Sequence, residues 1–244
     1  YRRLNLAWTP PELREDRGEI EAAERNQLPK LIELDDIRGD LQSHTTETDG
    51  HASPEDMARA ANERGYNFFA ITDHSQAVHV ANGMDADRTR KHADAIRKIN
   101  DSMRGMWLMA GVEVDIRTDL DETVLADLDW VVASVHSHWN LGRREMTSRL
   151  IRAIRSGVIH MLGHPTGRLI GKRDPIAFDT DKVFTAAAEE NVCIEINAQP
   201  DRLDLPDYLC KAALEAGVTF ALSTDAHKIG DLDFMRWGVS AARR

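Results

Sequence analysis

The sequence predicts a parallel α/β barrel, and three observations lead there. Seven apolar runs of strand length recur from Gly39 onward. Amphipathic helical segments separate most of them. His, Asp or Glu stands at the C-terminal end of six of the seven runs. Parallel strands are buried on both faces and so read as nearly unbroken apolar stretches. Regular strand–helix alternation is the pattern of a parallel sheet with helices packed outside it.

The predicted strands are Gly39–His44, Tyr66–Thr72, Trp107–Val114, Trp130–His136, Val158–Leu162, Val192–Asn197 and Val218–Ser223. Between the first two, Ser53 supplies a helix N-cap with Pro54 at the first helical position, and Gly65 closes the helix. Ile96, Ile99 and Met103 mark the buried stripe of a second helix. Met146, Leu150, Ile151 and Ile154 mark a third, ended by Gly157. A fourth carries Val183, Phe184, Ala187 and Ala188; a fifth opens at Pro206 with Leu209, Ala213 and Ala216 on one face. Residues 1–36 differ in character: two prolines and mixed charge suggest a linker or a peripheral helical segment.

Composition narrows the function classes. The 244 residues carry 31 Lys and Arg against 41 Asp and Glu, a formal net charge of −10, which does not advertise nucleic-acid binding. No apolar run approaches the roughly 18 residues of a membrane span. The chain starts at Tyr1 without a signal segment and reads as excised from something longer. Cys193 and Cys210 form no C-x-x-C pair and read as buried free thiols of a reducing, cytoplasmic compartment.

The ligand-type residues carry the chemistry. His44 ends the first strand, Asp73 and His74 the second, Glu113 the third and His136 the fourth. His164 follows the fifth, and Asp225 and His227 follow the seventh. In a parallel barrel these ends share one face, so residues far apart in sequence converge on one mouth. A single histidine there is more often a cap or packing residue; six strands delivering such residues at one end point to a shared metal site. His51, His79, His92, His138 and His160 fall outside the pattern. His92, in a helix, and His160, in a strand, are assigned structural roles, while His138 either lines the cleft or stands clear of it. Arg168, four residues past His164, is either a phosphate clamp, extended by Lys172 and Arg173, or a surface ion-pair residue. Arg143, Arg144, Arg149, Arg152 and Arg155 spread around one helix and read as a solvated face rather than a DNA track.

Taken together, Asp40–His44 with Thr48-Asp49-Gly50, Thr72-Asp73-His74, Gly111-Val112-Glu113, Ser134–Ser137, Gly163-His164-Pro165 and Ser223–His227 resemble the polymerase-and-histidinol-phosphatase (PHP) superfamily. The segment Pro10–Glu19, with Gly163–Arg168 and Glu195–Ala198, is similar to the C-terminal domain of bacterial family X DNA polymerases. The resemblance implies a distorted (β/α)7 TIM-like barrel with a metal site at the C-terminal strand ends. It implies two to three divalent metals, manganese or zinc, and 3′→5′ exonuclease or related 3′-end processing of DNA. Residues 1–36 would follow a polymerase thumb and residues 37–244 would form the phosphoesterase domain, partnered by a polymerase domain on the same chain. A histidinol-phosphatase-like phosphomonoesterase or a structural domain is the alternative. On this resemblance Gln42, His44, Glu113 and Asp225 match the first metal site. Asp49, His74 and His227 match the second, and Glu113 with His136 and His164 the third. Asp40 matches a supporting position. Glu113, Asp225, His44 and Arg168 would act directly in catalysis. The superfamily has His where this chain has Gln42, and an amide oxygen binds zinc-like ions less tightly than imidazole.

Overall fold

A computed structural model describes residues 1–116 and 120–243. Seven parallel strands form one sheet in sequence order: β1 (Gly39–Asp40), β2 (Phe68–Ile71), β3 (Trp107–Asp115), β4 (Trp130–Ser134), β5 (Met161–Leu162), β6 (Cys193–Asn197) and β7 (Phe220–Ser223). The sheet curls into a nearly closed barrel. Its ends meet where Ser43 bridges Ala226 in parallel, with the His44 N–H donating to the Ala226 carbonyl at 2.8 Å. The buried Asp40 carboxylate fastens the same seam by accepting from the Thr224 N–H and hydroxyl.

The strands lie where the apolar runs predict, but several are shorter. The first run ends its regular pairing at Asp40, since Gln42, Ser43 and His44 turn into the barrel mouth. The fifth pairs only over Met161–Leu162, so His160 precedes the strand instead of lying in it. Its Nδ1 accepts from the Val131 N–H at 3.0 Å and its ring stacks on Trp130, consistent with a structural role. β3 is the longest strand for a topological reason: its first half pairs with β2 and its second half with β4. That stagger carries Glu113 inward to the barrel axis.

The helices are α1 (Glu19–Glu24), α2 (Pro54–Glu63), α3 (Ala86–Ser102), α4 (Glu122–Leu125), α5 (Arg143–Ile154), α6 (Thr180–Glu189), α7 (Asp207–Glu215) and α8 (Met235–Ala242). Ser53 caps α2 as its sequence predicts, accepting from the Asp56 N–H at 3.1 Å. The apolar stripes bury Ile96, Met146, Leu150, Ile154, Val183, Phe184, Ala187 and Ala213 against the sheet. α4 and α8 carry no long apolar stripe in sequence, and only the structure reveals them. Residues 1–36 contain α1 and short turns; Arg243, just past α8, ties them down through Glu12, Glu33 and the Ile32 carbonyl. Cys193 and Cys210 are free thiols, half-buried instead of fully buried. Among the described residues no helix is long and apolar enough to cross a membrane.

The arginines of α5 divide. Arg143, Arg144, Arg152 and Arg155 face solvent, whereas Arg149 turns inward and is buried. Its guanidinium donates to Asp115 Oδ1 at 2.8 Å and to the Ser137 carbonyl at 2.8 Å. Removing one partner of a buried pair leaves the other charge uncompensated. Arg149→Ala is therefore expected to cost roughly 3 kcal/mol, measured by denaturant unfolding, while Arg152→Ala on the solvated face should leave the midpoint unchanged.

Candidate metal centre

Most ligand-type residues sit at the mouth because their strands end there, and buried acids fasten several of the loops that bear them. The Thr45–Asp49 turn hangs on Asp73: its carboxylate accepts from the Thr45 N–H and hydroxyl, from the Thr48 hydroxyl at 2.6 Å, and contacts His92 Nε2 at 2.9 Å. His92 reaches in from α3, so this helix histidine is a buried brace for the loop bearing Asp49. Asp115 accepts from the His136 N–H and the Ser137 hydroxyl, and Arg149 holds Asp115 in turn. β6, the one strand without a predicted ligand, supplies support instead. The buried Glu195 carboxyl accepts from the His164 N–H, and Asn197 Nδ2 bridges Glu195 and Asp225 at 3.2 and 3.1 Å.

Glu113 is the hub. It is 1% exposed, and neither carboxylate oxygen makes a hydrogen bond among the described residues. Four imidazoles surround it. His164 Nε2 and His136 Nε2 stand 3.0 and 3.4 Å from Oε1; His74 Nδ1 and His44 Nε2 stand 3.0 and 3.6 Å from Oε2. A second focus forms where Asp49 Oδ2 lies 3.6 Å from both His74 Nε2 and His227 Nε2. Asp225 Oδ1 lies 3.1 Å from His44 Nε2 and 3.8 Å from His227 Nδ1. The rings of His74 and His227 each stack on that of His44, at 4.4 and 4.3 Å.

These spacings have a physical reading. Two ligand atoms each about 2.1 Å from one ion stand about 3–3.4 Å apart at octahedral or tetrahedral angles. Such pairs approach closely without the alignment of a hydrogen bond, as here. Gln42 supports the same reading: it is fully buried and neither side-chain atom has a hydrogen-bond partner. Leaving these groups unsatisfied would cost several kcal/mol in all, and coordination removes that cost. The donor set therefore fits divalent cations. Two groups have ligand atoms mutually within 4.8 Å: His44, Asp49, His74 and His227, and His74, Glu113 and His136.

The electrostatics are those of a cluster of charges sharing protons. Burial opposes ionisation of Glu113, but the charges of His136 and His74 hold its carboxyl well below the usual range. Burial likewise pushes His227 down, and the nearby carboxylates of Asp49 and Asp225 override that, bringing it up to about 9. Burial and the neighbouring Arg202 take His164 down to about 4. Burial, then the charge of Asp225, keeps Glu195 well above a normal carboxyl.

Arg168 Nε and Nη2 are engaged by backbone carbonyls. Its guanidinium donates to the Arg202 carbonyl at 2.7 Å and to the Leu203 carbonyl. It thereby holds the segment bearing Arg202, whose Nε lies 3.7 Å from Asp225 Oδ2 and whose Nη1 is buried without a partner. Sequence spacing picked out the nearer arginine; the one facing the cleft follows β6. His138 is exposed, with its backbone at φ 55°.

A parallel barrel with a buried His-and-carboxylate cluster at its C-terminal mouth defines a metal-dependent hydrolase architecture. The PHP domain profile matches residues 40–199, and the chain belongs to that family. It is 41% identical over 248 residues to the DNA polymerase/3′-5′ exonuclease PolX of Bacillus subtilis, a match covering 100% of this chain and 43% of that protein. A probable phosphatase of Photobacterium profundum is 33% identical over 167 residues, covering 65% of this chain and 63% of that protein. In fold, the chain is similar to histidinol phosphate phosphatase of Lactococcus lactis, a structure complexed with zinc, L-histidinol and phosphate. The TM-score is 0.62 at 15% identity, covering 84% of this chain and 93% of that one.

The raised His227 has a consequence for stability. A group whose folded pKa exceeds its unfolded value stabilises most below the unfolded pKa and loses that contribution as pH rises through the folded one. The metal-free chain is therefore expected to lose stability between about pH 6.5 and 9. His227→Asn should flatten that slope, read as Tm against pH in the presence of chelator.

Proposed function

We propose that the chain is a metal-dependent phosphodiesterase that removes nucleotides from DNA 3′ ends, working beside a DNA polymerase domain of the same protein in the cytoplasm. The observation that carries this choice is the 41% identity to a polymerase/3′-5′ exonuclease along the whole chain, residues 1–36 included. The phosphatase reading draws on the Photobacterium relative, and parallel assays on single-stranded DNA and histidinol phosphate separate the two.

Gln42, His44, Glu113 and Asp225 would hold one ion, Asp49, His74 and His227 a second, and Glu113, His136 and His164 a third. Divalent cations there supply Lewis acidity to phosphate oxygens and lower the pKa of water. Glu113, with both oxygens turned to histidines from different strands, would contribute a ligand to more than one ion. His44 and Asp225 hold the floor of the cleft. Arg202 presents its unpartnered Nη1 to a phosphate oxygen, and Arg168 keeps Arg202 in place. Glu195 and Asn197 orient His164 and Asp225.

Mn²⁺ is expected to support 3′-end degradation of single-stranded DNA, and a chelator to abolish it. Glu113→Gln should lose at least one of two to three bound ions by elemental analysis and lower activity by more than about 100-fold, the upper range for losing even an outer partner of a ligand. Full metal content and activity in that variant would refute the hub assignment. Because the raised His227 must surrender its proton to bind an ion, metal affinity should rise from pH 7 to 9 with proton release, measured calorimetrically in buffers of different ionisation enthalpy.

Gln42 sets the selectivity of its own ion. Gln42→His should raise Zn²⁺ affinity at one site in a competitive titration against Mn²⁺. Identical Zn²⁺ affinities at every site would remove Gln42 from the ligand set.

A further inference from the structure

Beside the metal cleft stands an arginine whose setting the metal centre does not explain. Arg173 Cζ lies 3.7 Å over the ring of Trp139. Its Nε donates to the Gly167 carbonyl at 2.7 Å, and among the described residues no carboxylate lies within ion-pair distance of it. The backbone beneath it is fixed, since Leu169 and Arg173 exchange hydrogen bonds at 2.9 and 2.8 Å as an antiparallel bridge.

The support is built from the two loops that carry His136 and His164. Trp139 is three residues past His136, and the Gly167 N–H donates to the His164 carbonyl at 2.8 Å. Gly167 has φ +61°, and a Cβ there would lie 2.3 Å from Trp139 Cζ3. Trp139 therefore packs directly on the glycine backbone and holds the guanidinium above it. The same loop is tied to the Arg202 segment through the Ile170 N–H to the Asp201 carbonyl at 2.7 Å. Burial, and then the charge of Arg202, disfavours the protonated form of Arg173, and burial lifts Asp204 to about 6. Among the described residues Arg173 is thus a guanidinium without a carboxylate partner, near Arg202, whose Nε meets Asp225 and whose Nη1 has no partner, in a chain of net charge −10.

Resting on the reading that the substrate is a DNA strand, we infer that Arg173, stacked on Trp139, is a second phosphate subsite. It takes the internucleotide phosphate adjacent to the scissile one and so selects a polynucleotide over a single ester. Its free Nη1 and Nη2 form a planar fork matched to two phosphate oxygens, and the tryptophan keeps that fork pre-oriented.

The test compares the Mn²⁺-loaded chain and its Arg173→Gln variant on two substrates: a ten-residue oligothymidylate and thymidine 5′-(p-nitrophenyl phosphate), which has one phosphate. Arg173→Gln should lower kcat/KM on the oligonucleotide about tenfold, as losing one charge-assisted contact does, and leave the single ester unchanged. With chelator present, oligonucleotide binding by fluorescence anisotropy should lose about one unit of salt slope. A probe on the substrate side needs no variant: a neutral methylphosphonate at the linkage next to the scissile one should weaken wild-type cleavage about tenfold and the variant no further. Equal losses on both substrates, an unchanged salt slope, or wild-type indifference to the methylphosphonate would each overturn the subsite while leaving the nuclease reading intact. A wild-type chain that hydrolyses the single ester but not the oligonucleotide would overturn both.

Discussion

Glu113 is a carboxylate taken out of water at the centre of the molecule, and much of the structure serves to make that tolerable. Its desolvation alone would cost several kcal/mol. Four imidazoles answer it, from the ends of β2, β4 and β5 and from the turn after β1. None aligns as a hydrogen bond, and the spacings are those of groups sharing cations. The barrel must close for this to happen: only a curled sheet brings the ends of its first and fifth strands to opposite sides of one side chain. The Asp40–Thr224 seam and the Ser43–Ala226 bridge are accordingly part of the site as well as of the fold.

Around the hub lies a ring of residues whose work is orientation. Asp73 with His92, Asp115 with Arg149, and Glu195 with Asn197 each fasten one ligand-bearing loop. They differ chemically but follow one rule: a buried carboxyl collects backbone N–H groups and side-chain donors from a turn and thereby fixes where the next ligand points. The repeated use of buried acids also helps explain the acidic composition. Part of that charge lies inside, on carboxylates that meet at the barrel mouth.

The strand ends made much of this legible. His44, His74, Glu113, His136, His164, Asp225 and His227 meet at one mouth because parallel strands deliver their C-terminal residues to one face, and Asp49, which only the family resemblance picked out, joins them from the turn after β1. The supporting residues were less legible because their signals are generic. Arg149 looked like one of five arginines on a wet helix, and His92 like a packing histidine. Neither spacing nor residue type shows which side chain crosses to another loop. Arg168 shows the reverse: it stands four residues past His164 in sequence, yet two of its guanidinium nitrogens meet backbone carbonyls, and it is Arg202 that lies beside Asp225.

The sequence by itself determined the parallel α/β barrel and the ligand-type residues that stand at its strand ends. These follow from nearly unbroken apolar strands separated by amphipathic helices and from the geometry of parallel strands. Only the tertiary structure decided which histidine faces which oxygen, which arginine stays free, and that Trp139 packs against Gly167. Those are contacts between residues distant in sequence. They depend on loop paths across the barrel mouth, where no periodicity constrains the chain and a single hydrogen bond redirects a side chain.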